Sequence, residues 1–88
     1  MNEINQQLEA LRDLIGRSEG IIYPAERITI KKAYKALKLN PDKRYQIPNI
    51  ASNLRGAIEI EDLYRESGHP RDFITKAISI LEKIAETR

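Results

Sequence analysis

Three sets of side chains in this 88-residue chain have types and spacings from which chemistry could be built. Ser67, His69 and Asp72 bring together a hydroxyl, the only imidazole and a carboxylate, the parts of a proton relay. They straddle Gly68 and Pro70, however, and a relay needs side chains that converge from fixed elements. The local pattern reads as a turn: Gly68 closes one helix, Pro70 opens the next, and His69 is exposed between them. Glu59, Asp62 and Glu66 would share one face of a helix, a spacing that offers oxygen ligands to a hard cation, although carboxylates alone read first as a solvated face. There is no cysteine, no second histidine and no glycine-rich phosphate loop. The expectation is a protein that is not an enzyme, with no catalytic residues, cofactor or metal.

The third set is cationic. The net charge is only +2, but residues 27–55 carry eight basic side chains and a single acid, Asp42, a local charge of +7. Residues 1–26 carry −3 and residues 56–88 carry −2. Arg27, Lys31, Lys35 and Lys38 recur at helical spacing as an outward stripe, and Lys43 and Arg44 come next in a loop beside Tyr45. Such a patch suits an acidic partner. Three readings are open: a face that keeps a helix soluble, with lysine stems covering apolar surface; a nucleic-acid contact; or a docking face for a membrane surface or membrane protein, where Lys43, Arg44 and Tyr45 would meet the headgroups. A helix-turn-helix would need a tighter turn than residues 40–47 and a basic second helix, so nucleic acid is the weaker partner.

The elements that must position these groups are set by periodicity. One domain is expected over residues 1–88, with a modest core and little room for a deep cleft. Ile4, Leu8, Leu11 and Ile15 mark a helix over about 2–15, with Gly16 as a left-handed stop. Ile21, Ile22 and Tyr23 read as an extended plug. A second helix spans 24–39, opened by Pro24 and Glu26, with Ile30, Ala33, Tyr34 and Leu37 inward. Asn40-Pro41 ends it, and 42–47 is a polar loop. A third helix spans 48–67 with apolar positions at Ile50, Leu54, Ala57, Ile58, Ile60, Leu63 and Tyr64. That face drifts, so the helix bends or touches two neighbours, and Gly56 suggests close approach of another helix. The fourth, over 70–86, has the cleanest stripe: Phe73, Ile74, Ala77, Ile78, Leu81, Ile84 and Ala85. Short connections predict an all-α, antiparallel, up-down four-helix bundle. The polar start of the chain gives no signal peptide, and no apolar run approaches the roughly 20 residues that span a bilayer. The expected location is cytoplasmic.

One stretch carries more than packing. Lys35-Ala36-Leu37, a short polar loop, Tyr45 and Pro48, then Ile50, Asn53, Leu54, Arg55 and Ala57 form a pattern that resembles the middle of lactococcin-type bacteriocin immunity proteins. More loosely it is similar to the pediocin-type immunity proteins, which share a four-helix layout. The resemblance covers residues 28–64; the first and last helices agree in length and amphipathicity. It implies a small, cytosolic, non-enzymatic protein that protects a cell against a class II bacteriocin. The implied partner is the membrane sugar permease of the mannose phosphotransferase system, or its complex with bacteriocin, bound from the cytoplasmic side. The basic face of Arg27, Lys31, Lys35, Lys38, Lys43 and Arg44 would then meet the permease or the inner leaflet. Specificity would lie in the hairpin of the last two helices, around Tyr64, Arg65, His69 and Arg71. The alternative is a small basic nucleic-acid-binding or regulatory helical module that uses the same cations. Binding of that kind would weaken by orders of magnitude as salt rises.

Overall fold

The computed structural model describes residues 3–87. Its elements are α1 (Glu3–Arg17), α2 (Pro24–Leu39), a 3-10 segment (Pro41–Gln46), α3 (Ile47–Ile60), α4 (Asp62–Arg65) and α5 (His69–Glu86), with no strand among the described residues. The fold is all-helical. The long helices contact one another in the cyclic order α1, α2, α3, α5, with α5 packed on both α1 and α3. The radius of gyration is 12.3 Å, matching the value of about 12 Å for a compact chain of this length. No helix among the described residues is long and apolar enough to cross a membrane.

Helix α2 occupies the range its sequence predicts. Pro24 supplies the fixed φ of a first helical residue, and Glu26 sits in the first turn where the dipole favours an acid. At the other end Asn40 leaves the helical region (φ −150°, ψ 99°) while its N–H still donates to the Ala36 carbonyl. Its side-chain Oδ1 accepts from the Asp42 N–H at 3.0 Å. One asparagine therefore closes α2 and caps the 3-10 segment, in which Pro41 fits the first position. Residues 42–47, expected as a polar loop, are thus ordered by local capping, and α3 begins directly at Ile47.

The third helix departs most from expectation. It stops at Ile60, Glu61 is extended (φ −83°, ψ 127°), and a single turn, α4, comes before Glu66 is extended again. The drifting apolar face has its reason here. Leu54 and Ala51 face the core from α3, whereas Ile60 is left 75% exposed and Tyr64 is wholly buried. An unbroken helix over 48–67 would not deliver this arrangement; the break re-aims Tyr64 inward. Glu59, Asp62 and Glu66 consequently do not share a helical face, and no acidic or histidine cluster among the described residues could hold a metal ion.

Glycines account for three further corrections. Helix α1 runs through Gly16 to Arg17, and the only positive φ in the left-handed region among the described residues is at Gly20, 79°. The turn is made by Ser18, whose carbonyl accepts from the N–H groups of Ile21 and Ile22. The expected extended plug is thus a turn and a bend at Ile21 and Ile22, with Ile22 buried and Tyr23 extended. Gly56 does not admit a neighbouring helix: a Cβ there would meet nothing within 4 Å. Gly68 has φ 161°, an ordinary extended conformation, and precedes α5 rather than capping a long helix. The predicted stripe of α5 is buried at Ile74, Ala77, Ile78, Leu81 and Ile84, whereas Ala85 is exposed. The expected start of the first helix at Asn2 lies outside the described residues.

Candidate functional site

The sequence points to two sets of residues, a basic face and a C-terminal hairpin, and the structure divides each of them. Within the basic set, Arg27 and Arg44 are held by the protein itself. Arg27 is half-buried at the end of α1. Its Nε donates to Ser18 Oγ at 3.2 Å, its Nη2 donates to the Ile15 carbonyl at 3.4 Å, and Glu19 lies 3.9 Å away. Ser18, itself 2% exposed, donates its hydroxyl to the same Ile15 carbonyl at 2.7 Å. A guanidinium placed on the last carbonyls of a helix satisfies acceptors that have no intrahelical donor and complements the dipole. Arg44 is used similarly, donating from Nη1 to the Thr87 carbonyl just past α5 and tying the 3-10 segment to that helix end.

The lysines are different. Lys31, Lys35, Lys38 and Lys43 are exposed, as is Lys32, and none forms an ion pair among the described residues. Lys38 sits over the Tyr34 ring, 5.7 Å from its centroid, a cation–π contact that leaves the ammonium at the surface. At about 100° per residue, Lys31, Lys32, Lys35 and Lys38 fall within an arc of about 120° on the outer side of α2. Ile28 and Leu39 lie in the same arc, 52% and 88% exposed, and Tyr45, 74% exposed, comes after them in the 3-10 segment. No acid occupies this arc. Ile28, Lys32 and Leu39 stand outside the sets that the sequence marks as functional; a helical projection of residues 24–39 places them beside the predicted lysines.

The hairpin set is also split. Arg65, His69 and Arg71 are exposed around the connection between α4 and α5. Arg65 pairs with Asp62 at 3.2 Å, and Arg71 reaches the Arg65 carbonyl at 3.4 Å. Tyr64 is not available to a partner: it has no exposed surface. Its hydroxyl accepts from the Tyr23 N–H at 2.8 Å and donates to Glu26 Oε2 at 3.2 Å. Its ring meets Tyr23 edge-on at 5.5 Å. The N–H of Tyr23, at the N-cap of α2, has no acceptor within the helix, and the Tyr64 hydroxyl supplies one. Burial pushes the Tyr64 phenol well above its usual range and the Glu26 carboxylate adds to the rise, against the lowering effect of the Tyr23 N–H. Ser67, His69 and Asp72 are all exposed, with no hydrogen bond joining them among the described residues.

What remains for a partner is surface. One open groove of about 610 Å³ runs between α1 and α2 past Asn5, Gln6, Glu9, Arg12, Tyr34 and Lys38. A second, of about 640 Å³, lies at the start of α2 beside Ile21, Tyr23, Ile28 and Leu63. By contrast, the enclosed space among Leu14, Ile15, Ser18, Ile22, Ile30 and Phe73 has no room for a water-sized sphere. The arrangement can hold another macromolecular surface by charge and apolar contact. Comparison of the chain with protein-family models, with curated proteins and with solved structures finds no match.

Proposed function

We propose that this chain is a bacteriocin immunity protein. On this reading it protects the cell against a class II bacteriocin by binding the bacteriocin-engaged permease of the mannose phosphotransferase system from the cytoplasmic side. The observation that carries the reading is the sequence pattern of Lys35-Ala36-Leu37, Tyr45, Pro48, Ile50, Asn53, Leu54, Arg55 and Ala57. The fold gives that pattern a consistent physical form. Lys35 and Tyr45 are exposed, Leu37 and Leu54 are buried, and Pro48 lies in the first turn of α3. An antiparallel up-down arrangement of four long helices is the frame we assign; the cyclic contact order α1, α2, α3, α5 and the short connections support it. The function we assign needs contact surface rather than catalytic groups. Free lysines on α2 and the exposed Arg65, His69 and Arg71 supply it at two places. Of the four residues of the specificity hairpin, we keep that role for these last three, whereas Tyr64 is buried against Tyr23 and Glu26.

The test is survival. A sensitive lactic-acid bacterium expressing this chain is challenged with a panel of lactococcin- and pediocin-type peptides. The expected result is protection against one peptide or a few related ones, lost when the α4–α5 corner is exchanged. Absence of protection across the panel, with soluble and helical protein in the cell, contradicts the reading.

A further inference from the structure

We infer that the outer face of α2, with the adjoining 3-10 segment, docks directly on an anionic lipid surface. The juxtaposition that points there is Lys31, Lys32, Lys35 and Lys38 on one arc with Ile28 and Leu39, continued by Lys43 and Tyr45. Lys31, Lys32, Lys35, Lys43 and Leu39 have no side-chain partner among the described residues, and Lys38 and Tyr45 make only the surface contacts with Tyr34 and Gln46. This docking uses the same lysines as the immunity reading but needs neither bacteriocin nor permease, so vesicle binding tests it apart from survival.

Three features select lipid over other acidic partners. First, the charge is carried by lysines, point charges on flexible stems, whereas Arg27, Arg44, Arg55 and Arg65 all have partners within the protein. Diffuse attraction to a charged plane needs only the former; bidentate recognition of individual phosphates favours the guanidinium fork. Second, Leu39 and Tyr45 project beside Lys38 and Lys43 at 88% and 74% exposure. A bare leucine gains nothing from a solvated phosphate backbone, whereas leucine and tyrosine side by side suit the boundary between headgroups and acyl chains. Third, the cations form a broad strip. Ile28 and Leu39 are about 16 Å apart along the helix, with four lysines between them and no acid to break the strip. Helix α5, by contrast, exposes Lys76 and Lys83 alongside Asp72 and Glu86.

Co-sedimentation of the full chain with phosphatidylcholine vesicles, with and without phosphatidylglycerol, tests the inference. Binding is expected only where phosphatidylglycerol is present, and it falls as salt rises. Lys31→Gln with Lys35→Gln is expected to lower partitioning by about 25-fold, taking about fivefold for each lysine at an anionic surface. Lys76→Gln with Lys83→Gln removes the same charge from another face and is expected to change partitioning by less than about threefold, as charges turned away from the lipid plane are screened. Leu39→Ser with Tyr45→Ser is expected to weaken binding at constant net charge. Every altered side chain is exposed, and circular dichroism is the check that each variant is folded. No sedimentation with anionic vesicles overturns the inference. So does an equal loss from the α5 pair, which would reduce the effect to net charge, or unchanged binding in the Leu39 and Tyr45 variant. Retention of duplex nucleic acid without lipid binding would assign the face to a different partner and overturn it as well.

Discussion

The two ends of α2 use positive charge in opposite ways. At its start, Arg27 is half-buried against the Ile15 carbonyl at the end of α1, in a corner also fastened by Tyr64, Glu26 and Ser18. Along its outer face Lys31, Lys32, Lys35 and Lys38, like Lys43 in the 3-10 segment that follows, have no acidic partner among the described residues. The same helix therefore carries a cation that holds the fold together and cations that the fold does not need. A run of basic residues is not one functional unit; the structure separates those occupied at home from those available to a partner.

The comparison breaks most sharply at Tyr64. Tyr64→Ala removes a fully buried ring and the donor to Glu26, and is expected to cost about 3–5 kcal/mol in chemical denaturation, as other large-to-small aromatic changes do. Tyr64→Phe keeps the packing but leaves the Tyr23 N–H without its acceptor, an expected loss of about 1–3 kcal/mol. The parent and Tyr64→Phe also differ in alkali. Because burial raises the folded-state phenol above its unfolded value, the stability linked to it is complete below a pH of about 10 and is lost as the pH rises further. Tyr64→Phe should lack that part of the alkaline decline, which denaturant titrations of both proteins above neutral pH will reveal.

Next in size is the contrast between arginine and lysine. Arg27→Ala is expected to destabilise by about 1–2 kcal/mol, since it strips donors from Ser18 and the Ile15 carbonyl. Lys31→Ala and Lys35→Ala should stay within about 0.5 kcal/mol of the parent, as surface changes without partners do. Equal losses at the three positions would erase the distinction. Gly56→Ala has open space for its methyl group, and should stabilise α3 by about 1 kcal/mol by thermal unfolding. A small effect is also expected for the pair Arg55–Glu82, which joins α3 to α5 at 2.7 Å with both side chains about half exposed. A double-mutant cycle should assign it no more than about 1 kcal/mol, less in high salt.

Much of this fold is legible in the sequence because its signals are local. The stripe from Phe73 to Ile84 and the Pro24 and Asn40-Pro41 boundaries depend on a few adjacent residues, and they lie where periodicity and proline chemistry place them. The break at Glu61 is not legible in that way. No proline or glycine marks it; its motive is the burial of Tyr64 against Tyr23 and Glu26, residues about forty positions away in the chain, and tertiary packing of that kind overrides local helix propensity. Gly16 and Gly56 mislead for a related reason, since a glycine invites a conformational role that only the surrounding structure can assign. The basic face is visible as a composition, but its division is not. Whether a cation is free depends on whether a helix end lies within its reach, as it does for Arg27 and Arg44 and does not for Lys31 or Lys35.

The most direct measurement is bacteriocin survival of a sensitive strain carrying either the parent chain or the folded Lys31→Gln, Lys35→Gln variant. The account expects the parent to protect against a cognate peptide and the lysine variant to lose most of that protection at equal protein level and unchanged thermal stability. Protection by neither protein across a broad panel would contradict the immunity reading, and full protection by the variant would contradict the assignment of the free lysines to its partner.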